Sequence, residues 1–499
     1  MEIDLVSDAQ SPQAIRHVGV AVIGGGLAGL AAAIRFRERG WQDFLVLERG
    51  DRVGGTWRDN TYPGAACDVP SHLYSYSFAL NPGWTRSFSR QPEIQRYIED
   101  VADRYRVRDK HLFDCEVLGA TWLADEARWE LKTSKGLITS DVMVGAFGAL
   151  CEPSLPDIKG INSFAGHICH SARWDHDVDL AGKRVAVIGT GASAVQIVPA
   201  IADIVGRLDV YQRTAPWILP RLDRRYTAPE RFAFRHVPGY QRLARAVVYW
   251  AHEAQAVGLT RLPLLMKPME LLARAKLRRE VPDPALRRRL RPDYTIGCKR
   301  ILLSNDYLPT FSRSNVRLVT DGIAEVRENA IVTSDNEVHE VDVIVLATGF
   351  HVTDSPTYRK IVGENGRSLG DVFDDVGRQC YRGTAIAGFP NMFLLVGPNT
   401  GLGHNSMIYM IEAQVNYLMD AIATFRRGGY RTVEVRREAQ ERYARTLRRR
   451  LSRSVWNTGG CTSWYVDKHG ANTTIWPGLS YEFGRMTRSF DADAFHLST

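Results

Sequence analysis

An α/β protein of two doubly wound, parallel-sheet units, the second interrupted by a helical insertion, is predicted by three observations. A strand–turn–helix–strand signature runs through VGVAVIGGGLAGLAAAIRFRERGWQDFLVLERG, residues 18–50, and a second through KRVAVIGTGASAVQIVPAIADIVGRLDVYQRTAP, residues 183–216. From about 220 to 292 the strand–helix alternation stops and the sequence reads as helix alone. With 499 residues the chain is also too long for one small core, so two or three domains are expected.

In the first signature, Val18 to Ile23 make an apolar run suited to a buried strand. Gly24, Gly26 and Gly29 follow as G-x-G-x-x-G at a helix start, where backbone N–H groups and the helix dipole receive a pyrophosphate. The next strand, FLVLE, ends in Glu48, placed to accept ribose hydroxyls. The second signature carries Gly189, Gly191 and Ala194 as G-x-G-x-x-A, with Ser193 in the same turn. Its second strand ends in Arg213 and Thr214 instead of an acid, and a guanidinium there suits a 2′-phosphate. These are two Rossmann-like dinucleotide-binding domains, the first expected to take FAD and the second NADP(H).

The remaining elements fit that frame. Ile94, Tyr97, Ile98, Val101, Ala102 and Tyr105 recur at helical spacing as a core stripe. SDVMVGAFG (140–148) closes the first stretch, and VDVIVLATGF (341–350) is its counterpart in the second fold. FPNMFLLVGPNTGLGHNS reads as strand and turn, leading to a helix from about 405 to 426 that returns to cover the flavin. The insertion carries LARAVVYWAHEAQAV and PLLMKPMELLARAKL, whose aromatic and Met positions read as core. Its position makes it a candidate cap on the substrate side. The expected division is an FAD-binding domain at 1–150 and 351–499, the latter with a C-terminal mobile loop and helices. The NADP-binding domain takes 151–222 and 293–350, with the helical insertion at 223–292.

Composition excludes several classes. The chain is 44% hydrophobic and 24% charged, as an ordinary globular protein is. No apolar run approaches a membrane span, and the N-terminal stretch lacks a secretory pattern, so a cytoplasmic protein without a transmembrane segment is expected. Seven scattered cysteines with no C-x-x-C pair point to reduced thiols, with neither a disulfide framework nor a metal site. The formal charge of +8 includes the runs LRRRLRP near 290 and LRRRLSR near 450. Without interleaved aromatics or a nucleic-acid module, these read as solvated helix faces and as cations that receive anionic cofactors, and no nucleic-acid partner is expected.

Two longer motifs carry a resemblance. FAGHICHSARWD fits F-x-G-x-x-x-H-x-x-x-W-[PD] at Phe164, Gly166, His170, Trp174 and Asp175. GGTWRDNTYPGAACD fits [AG]-G-x-W-x-x-x-x-[FY]-P-[GM]-x-x-x-D at Gly55, Trp57, Tyr62, Pro63, Gly64 and Asp68. With both glycine signatures in order around them, the chain resembles the type I Baeyer–Villiger monooxygenases over nearly its whole length. Trp174 favours these over the flavin-containing and N-hydroxylating monooxygenases, which leave S- or N-oxygenation as the alternative chemistry. One departure is AFG at 146–148, where the family more often has ATG, a change at Phe147 that bears on local cofactor packing; the second ATG, at 347–349, is intact.

The resemblance implies an FAD enzyme that takes a hydride from NADPH and forms a C4a-peroxyflavin with O2. One oxygen atom is then inserted beside a ketone carbonyl to give an ester or lactone. It implies Arg300, in GCKRILLSNDY, as the essential active-site cation, with Asp68 orienting it and Lys299 helping to grip the 2′-phosphate. Thr56 and Trp57 fall among the cofactor-binding residues, and Trp464, in CTSWYVDKHGAN, anchors a mobile loop over NADP. His170 is implied in domain motion at the junction of the two folds, not in proton transfer to substrate. Neither the particular ketone nor the oligomeric state is legible from the sequence.

Overall fold

In the computed structural model, residues 16–499 are described; the N-terminal stretch read above for a secretory pattern lies largely outside them. Val20, Ala21 and Val22 are buried on both faces of the strand Arg16–Ile23, as a strand with neighbours on each side requires. It runs parallel to Phe44–Leu47 on one side and to Gly136–Gly145 on the other. The sheet continues through the antiparallel strands Arg128–Thr133 and Val117–Leu123, and Met392–Leu394 adds to it in parallel from far down the chain. The helix Leu27–Glu38 leaves the first glycine turn and packs against the helix Met407–Gly428, which realises the helix expected from about 405. Gln91–Arg104 buries Ile94, Tyr97, Ile98, Val101 and Ala102 on the anticipated stripe.

The second fold repeats the plan. Its five-stranded sheet has the order Val316–Val319, Arg207–Tyr211, Arg184–Ile188, Val343–Leu346 and His167–His170. All of these pairings are parallel. The helix Ala192–Ile201 starts at the second glycine turn and buries Ala194, Val195, Ile197 and Val198 against that sheet. The insertion is helical, with Ala228–His236, Tyr240–Thr260, Lys267–Glu280 and Pro284–Arg289 following one another. Among the described residues no helix is long and apolar enough to cross a membrane.

The expectation of seven free thiols fails for two of them. Cys298 and Cys461, separated by 163 residues in sequence, form a disulfide with their Cα atoms 6.1 Å apart. Spacing along the chain carries no sign of this pairing, because only the packing of the 293–300 segment against the C-terminal loop brings the two together. Cys67, Cys115, Cys151, Cys169 and Cys380 are unpaired.

Candidate active site

Both glycine turns open onto one cavity of about 1340 Å³. A single small-molecule site usually occupies about 300–1,000 Å³, so this volume suits a site shared by two dinucleotides. Gly24, Gly26, Glu48, Thr56, Trp57 and Asp68 line it from the first fold. Gly189, Gly191, Ser193, Arg213, Thr214, Lys299 and Arg300 line it from the second, and Trp464 from the C-terminal loop. Gly29 instead lies in the buried first turn of its helix. No residue of 223–292 is among the cavity's lining, so the insertion, expected as a candidate cap on the substrate side, contributes no side chain to the cavity wall. Its link to the site is indirect: Glu253 accepts a 2.6 Å bond from Asn405, which does line the cavity.

Glu48 is buried at the end of its strand. Its carboxylate accepts the N–H groups of Gly25 at 2.7 Å and Gly50 at 2.8 Å, and pairs with Arg58 at 2.6 Å. The side chain is thereby locked where the ribose hydroxyls of a dinucleotide would arrive. On the opposite side, Arg213 is exposed at the cavity wall and Lys299 is half-buried beside it. Burial, and then the Arg213 charge, pull the Lys299 ammonium below its ordinary pKa. Two cations that repel one another across a cavity wall are arranged for an anion.

The same cavity is lined by an ion pair, Arg300 with Asp68. Arg300 Nε donates to Asp68 Oδ2 at 2.7 Å, and the guanidinium also approaches the carbonyl of Leu402 at 3.4 Å. Burial alone would raise the Asp68 carboxyl, yet the Arg300 charge and hydrogen bond hold it below the usual carboxylate range. Asp68 in turn raises Arg300 above its ordinary value despite burial. The stretch after Asp68, residues 69–76, forms only turns and bends, so its carboxylate caps no helix.

Two residues that no motif singled out join the folds here. Gln196, on the helix of the second fold, accepts from Tyr62 Oη at 3.1 Å and from the Ala66 N–H at 3.2 Å, and donates to the Ala66 carbonyl at 2.9 Å. Arg221 donates to the carbonyl of Cys67 at 2.8 Å, one residue from Asp68. The only sequence signal for Gln196 is a polar residue among the apolar positions of AVQIVP.

The fingerprint residues Phe164, Gly166, His170 and Trp174 all stand outside the cavity. Phe164 is core, and Trp174 packs half-buried on the second fold. His170 is buried, with Nδ1 accepting the Ala172 N–H at 3.1 Å and Nε2 3.1 Å from the Gly349 carbonyl. That pattern assigns the neutral tautomer with the proton on Nε2. Burial, only partly offset by the Gly349 bond, keeps the imidazole below its ordinary pKa. With both nitrogens committed, His170 clamps its strand end to the ATG turn at 347–349, whose residues line the cavity. Phe147 lines the cavity too, edge-on to Tyr358 at 6.3 Å between ring centroids.

Comparison with known proteins agrees with this geometry. Residues 21–227 match the model of a family described as pyridine nucleotide-disulphide oxidoreductase. The cysteines of that stretch are unpaired, however, so the match reflects shared architecture. A Baeyer–Villiger monooxygenase of Streptomyces coelicolor is 49% identical over 98% of this chain and 94% of its own. The chain belongs to the Baeyer–Villiger monooxygenase family. Among solved structures, cyclohexanone monooxygenase of Rhodococcus sp. Phi1 bound to NADP+ superposes with a TM-score of 0.88 at 29% identity, covering 97% of this chain and all (100%) of that one. The OTEMO complex with FAD and NADP gives 0.87 at 28% identity, with the same coverage. Family membership thus extends over both dinucleotide folds and the insertion within the second.

Proposed function

We propose that the protein is an FAD-containing, NADPH- and O2-dependent monooxygenase that inserts one oxygen atom beside a ketone carbonyl to give an ester or lactone. The observation that carries this reading is the Arg300–Asp68 pair, set in the cavity onto which both glycine turns open. Both cofactors fit the residues present. At Gly191 a side chain would meet nothing within 4 Å, so the second turn is an open cradle, and Lys299 and Arg213 add positive charge on the same cavity wall. Glu48 and Gly26 would hold FAD in the first fold; Gly191, Ser193, Arg213, Thr214 and Lys299 would hold NADP(H) in the second.

Bound FAD, reduced by NADPH, supplies the activation of oxygen. The protein's own contribution is electrostatic and geometric. Arg300 is held cationic by Asp68 and faces the cavity, where it stabilises negative charge that develops on oxygen during attack on the carbonyl. Asp68 and the Leu402 carbonyl fix the guanidinium, so little reorganisation is needed when that charge appears. Trp464 and its neighbours Thr462 to Tyr465 wall the cavity, and closing that loop excludes water from the reacting centre. The same proposal includes the division into domains set out above, O2 as co-substrate and a cytoplasmic location.

Incubating the purified protein with NADPH and a panel of ketones and sulfides tests the reading. Ketone-stimulated NADPH consumption with ester or lactone in the mass spectrum is expected; stimulation by sulfides alone would move the protein to heteroatom oxygenation. NADPH should be preferred over NADH by at least about tenfold, equivalent to ~1.4 kcal/mol. Arg213→Ala should raise the KM for NADPH far more than that for NADH, and equal efficiency with both nucleotides in the parent protein would remove the phosphate role of Arg213.

His170→Ala removes the clamp on the ATG turn. Turnover should fall roughly tenfold while FAD stays bound, about the effect of losing one buried hydrogen bond. Stopped-flow traces with unchanged reduction, oxygenation and product release would rule out the junction role.

A further inference from the structure

The outward side of the insertion is unlike a solvated surface. Along the helix Tyr240–Thr260, the exposed positions after Arg242 are Leu243, Ala246, Val247, Trp250, Ala251 and Ala254. Their spacing of three and four residues makes one continuous stripe, and it contains no charge. Leu243 and Val247 are each 62% exposed and Trp250 is 55% exposed. Trp250 lies 6.1 Å from the ring of Tyr481, itself exposed. The chain then turns through Leu262, Leu264 and Leu265, with Leu264 79% exposed, and enters the next helix with Leu271 and Leu272 exposed as well. An apolar surface of this extent on a water-soluble fold marks an interaction site.

Charge identifies the occupant. Residues 223–292 hold 16 Lys or Arg against six Asp or Glu, a larger positive excess than the +8 of the whole chain. Lys267, Arg274, Arg288 and Arg291 line an open cavity of about 580 Å³ that begins two residues after Leu265. Glu270 and Asp293 line it too, and Glu270 pairs with Lys267 at 2.9 Å and Arg274 at 2.7 Å, so Arg288 and Arg291 carry its excess positive charge. A second copy of the same cationic face would repel this one, and duplex nucleic acid offers nothing for a row of Leu, Val and Trp. An anionic bilayer satisfies both features, since acyl chains take the apolar side chains and phosphate headgroups take the basic rim. We propose that the insertion is a peripheral membrane-docking surface for bilayers containing anionic phospholipid, with Trp250 and Leu264 as its inserted anchors.

Flotation of the FAD-loaded protein with vesicles tests this. Vesicles of phosphatidylcholine with phosphatidylglycerol should carry the protein upward at least about tenfold more efficiently than phosphatidylcholine alone, and added salt should reverse this. Trp250→Asp and Leu264→Asp, made separately, should each cut binding about tenfold or more, since a buried anchor becomes a charge beside lipid phosphate. Neither residue lines the active-site cavity, so FAD content and NADPH oxidation should not change. Trp250→Leu should retain binding. The proposal is overturned if the protein stays with the soluble fraction at low salt, or if both Asp variants float like the parent. It is equally overturned if sedimentation reveals a dimer that Trp250→Asp dissolves without any vesicle binding.

Discussion

Arg300→Ala is expected to abolish ester formation while leaving FAD bound. The guanidinium touches neither glycine turn, and its partners are Asp68 and the Leu402 carbonyl. Removing it leaves both dinucleotide cradles intact but deprives the centre of its fixed positive charge. Loss of one donor at a developing oxyanion costs about 3–4 kcal/mol, a hundred- to thousand-fold in rate. The reduced enzyme should still react with oxygen, so NADPH consumption should continue with release of hydrogen peroxide in place of ester. Asp68→Ala should be milder, because Arg300 keeps its charge and loses only its orientation. Measuring ester and peroxide in parallel for both variants separates the two roles, and an Arg300→Ala enzyme that converts ketone near the parent rate would place the active centre elsewhere.

What the sequence disclosed of this site was whatever is local in the chain. Glu48 and Arg213 could be contrasted because each stands at a fixed distance from its own glycine turn. The helix 91–104 announced itself by periodicity alone. Arg300 and Asp68 are 232 residues apart and could be paired only through resemblance, and their 2.7 Å bond is a product of folding. Contacts without any such template stayed hidden. Gln196 bridges to Tyr62 and Ala66 across more than a hundred residues, and Cys298 meets Cys461 across 163.

The insertion misled for a different reason. Its aromatic and Met positions read as core, and Met266 is indeed buried while Tyr249 and Met269 are half-buried. Trp250, Val247 and Leu264 have the same composition and face outward. A helix with apolar residues on more than one face has no signature in periodicity that says which face is covered. Only the packing of Gln241, Glu253 and Ala256 against the rest of the molecule decides it.

Gly29→Ala should be among the most damaging single changes in the protein. A β-carbon there would fall on the carbonyl oxygen of Gly24, which is backbone and cannot rotate away. Helix Leu27–Glu38 would have to back off from the strand Arg16–Ile23, although Leu30, Ala31, Ala33 and Ile34 on that helix are fully packed. Overpacking of this kind costs about 1–3 kcal/mol where side chains can adjust, and more where the obstacle is main chain. The expected result is apoprotein with a lowered melting temperature, because the displaced helix start is also the pyrophosphate seat. The second fold supplies the control. Ala194 occupies the equivalent third position and is fully buried there, so that helix already stands far enough from its strand for a methyl group. At Gly191 an added methyl meets nothing within 4 Å and points into the cradle. Gly191→Ala should therefore melt like the parent and keep FAD, yet raise the KM for NADPH several-fold, by crowding the phosphates. Thermal melts, flavin absorbance and NADPH kinetics on the two variants resolve this. If Gly29→Ala retains FAD and parental stability, the tight helix–strand contact is not what holds the first cradle in shape.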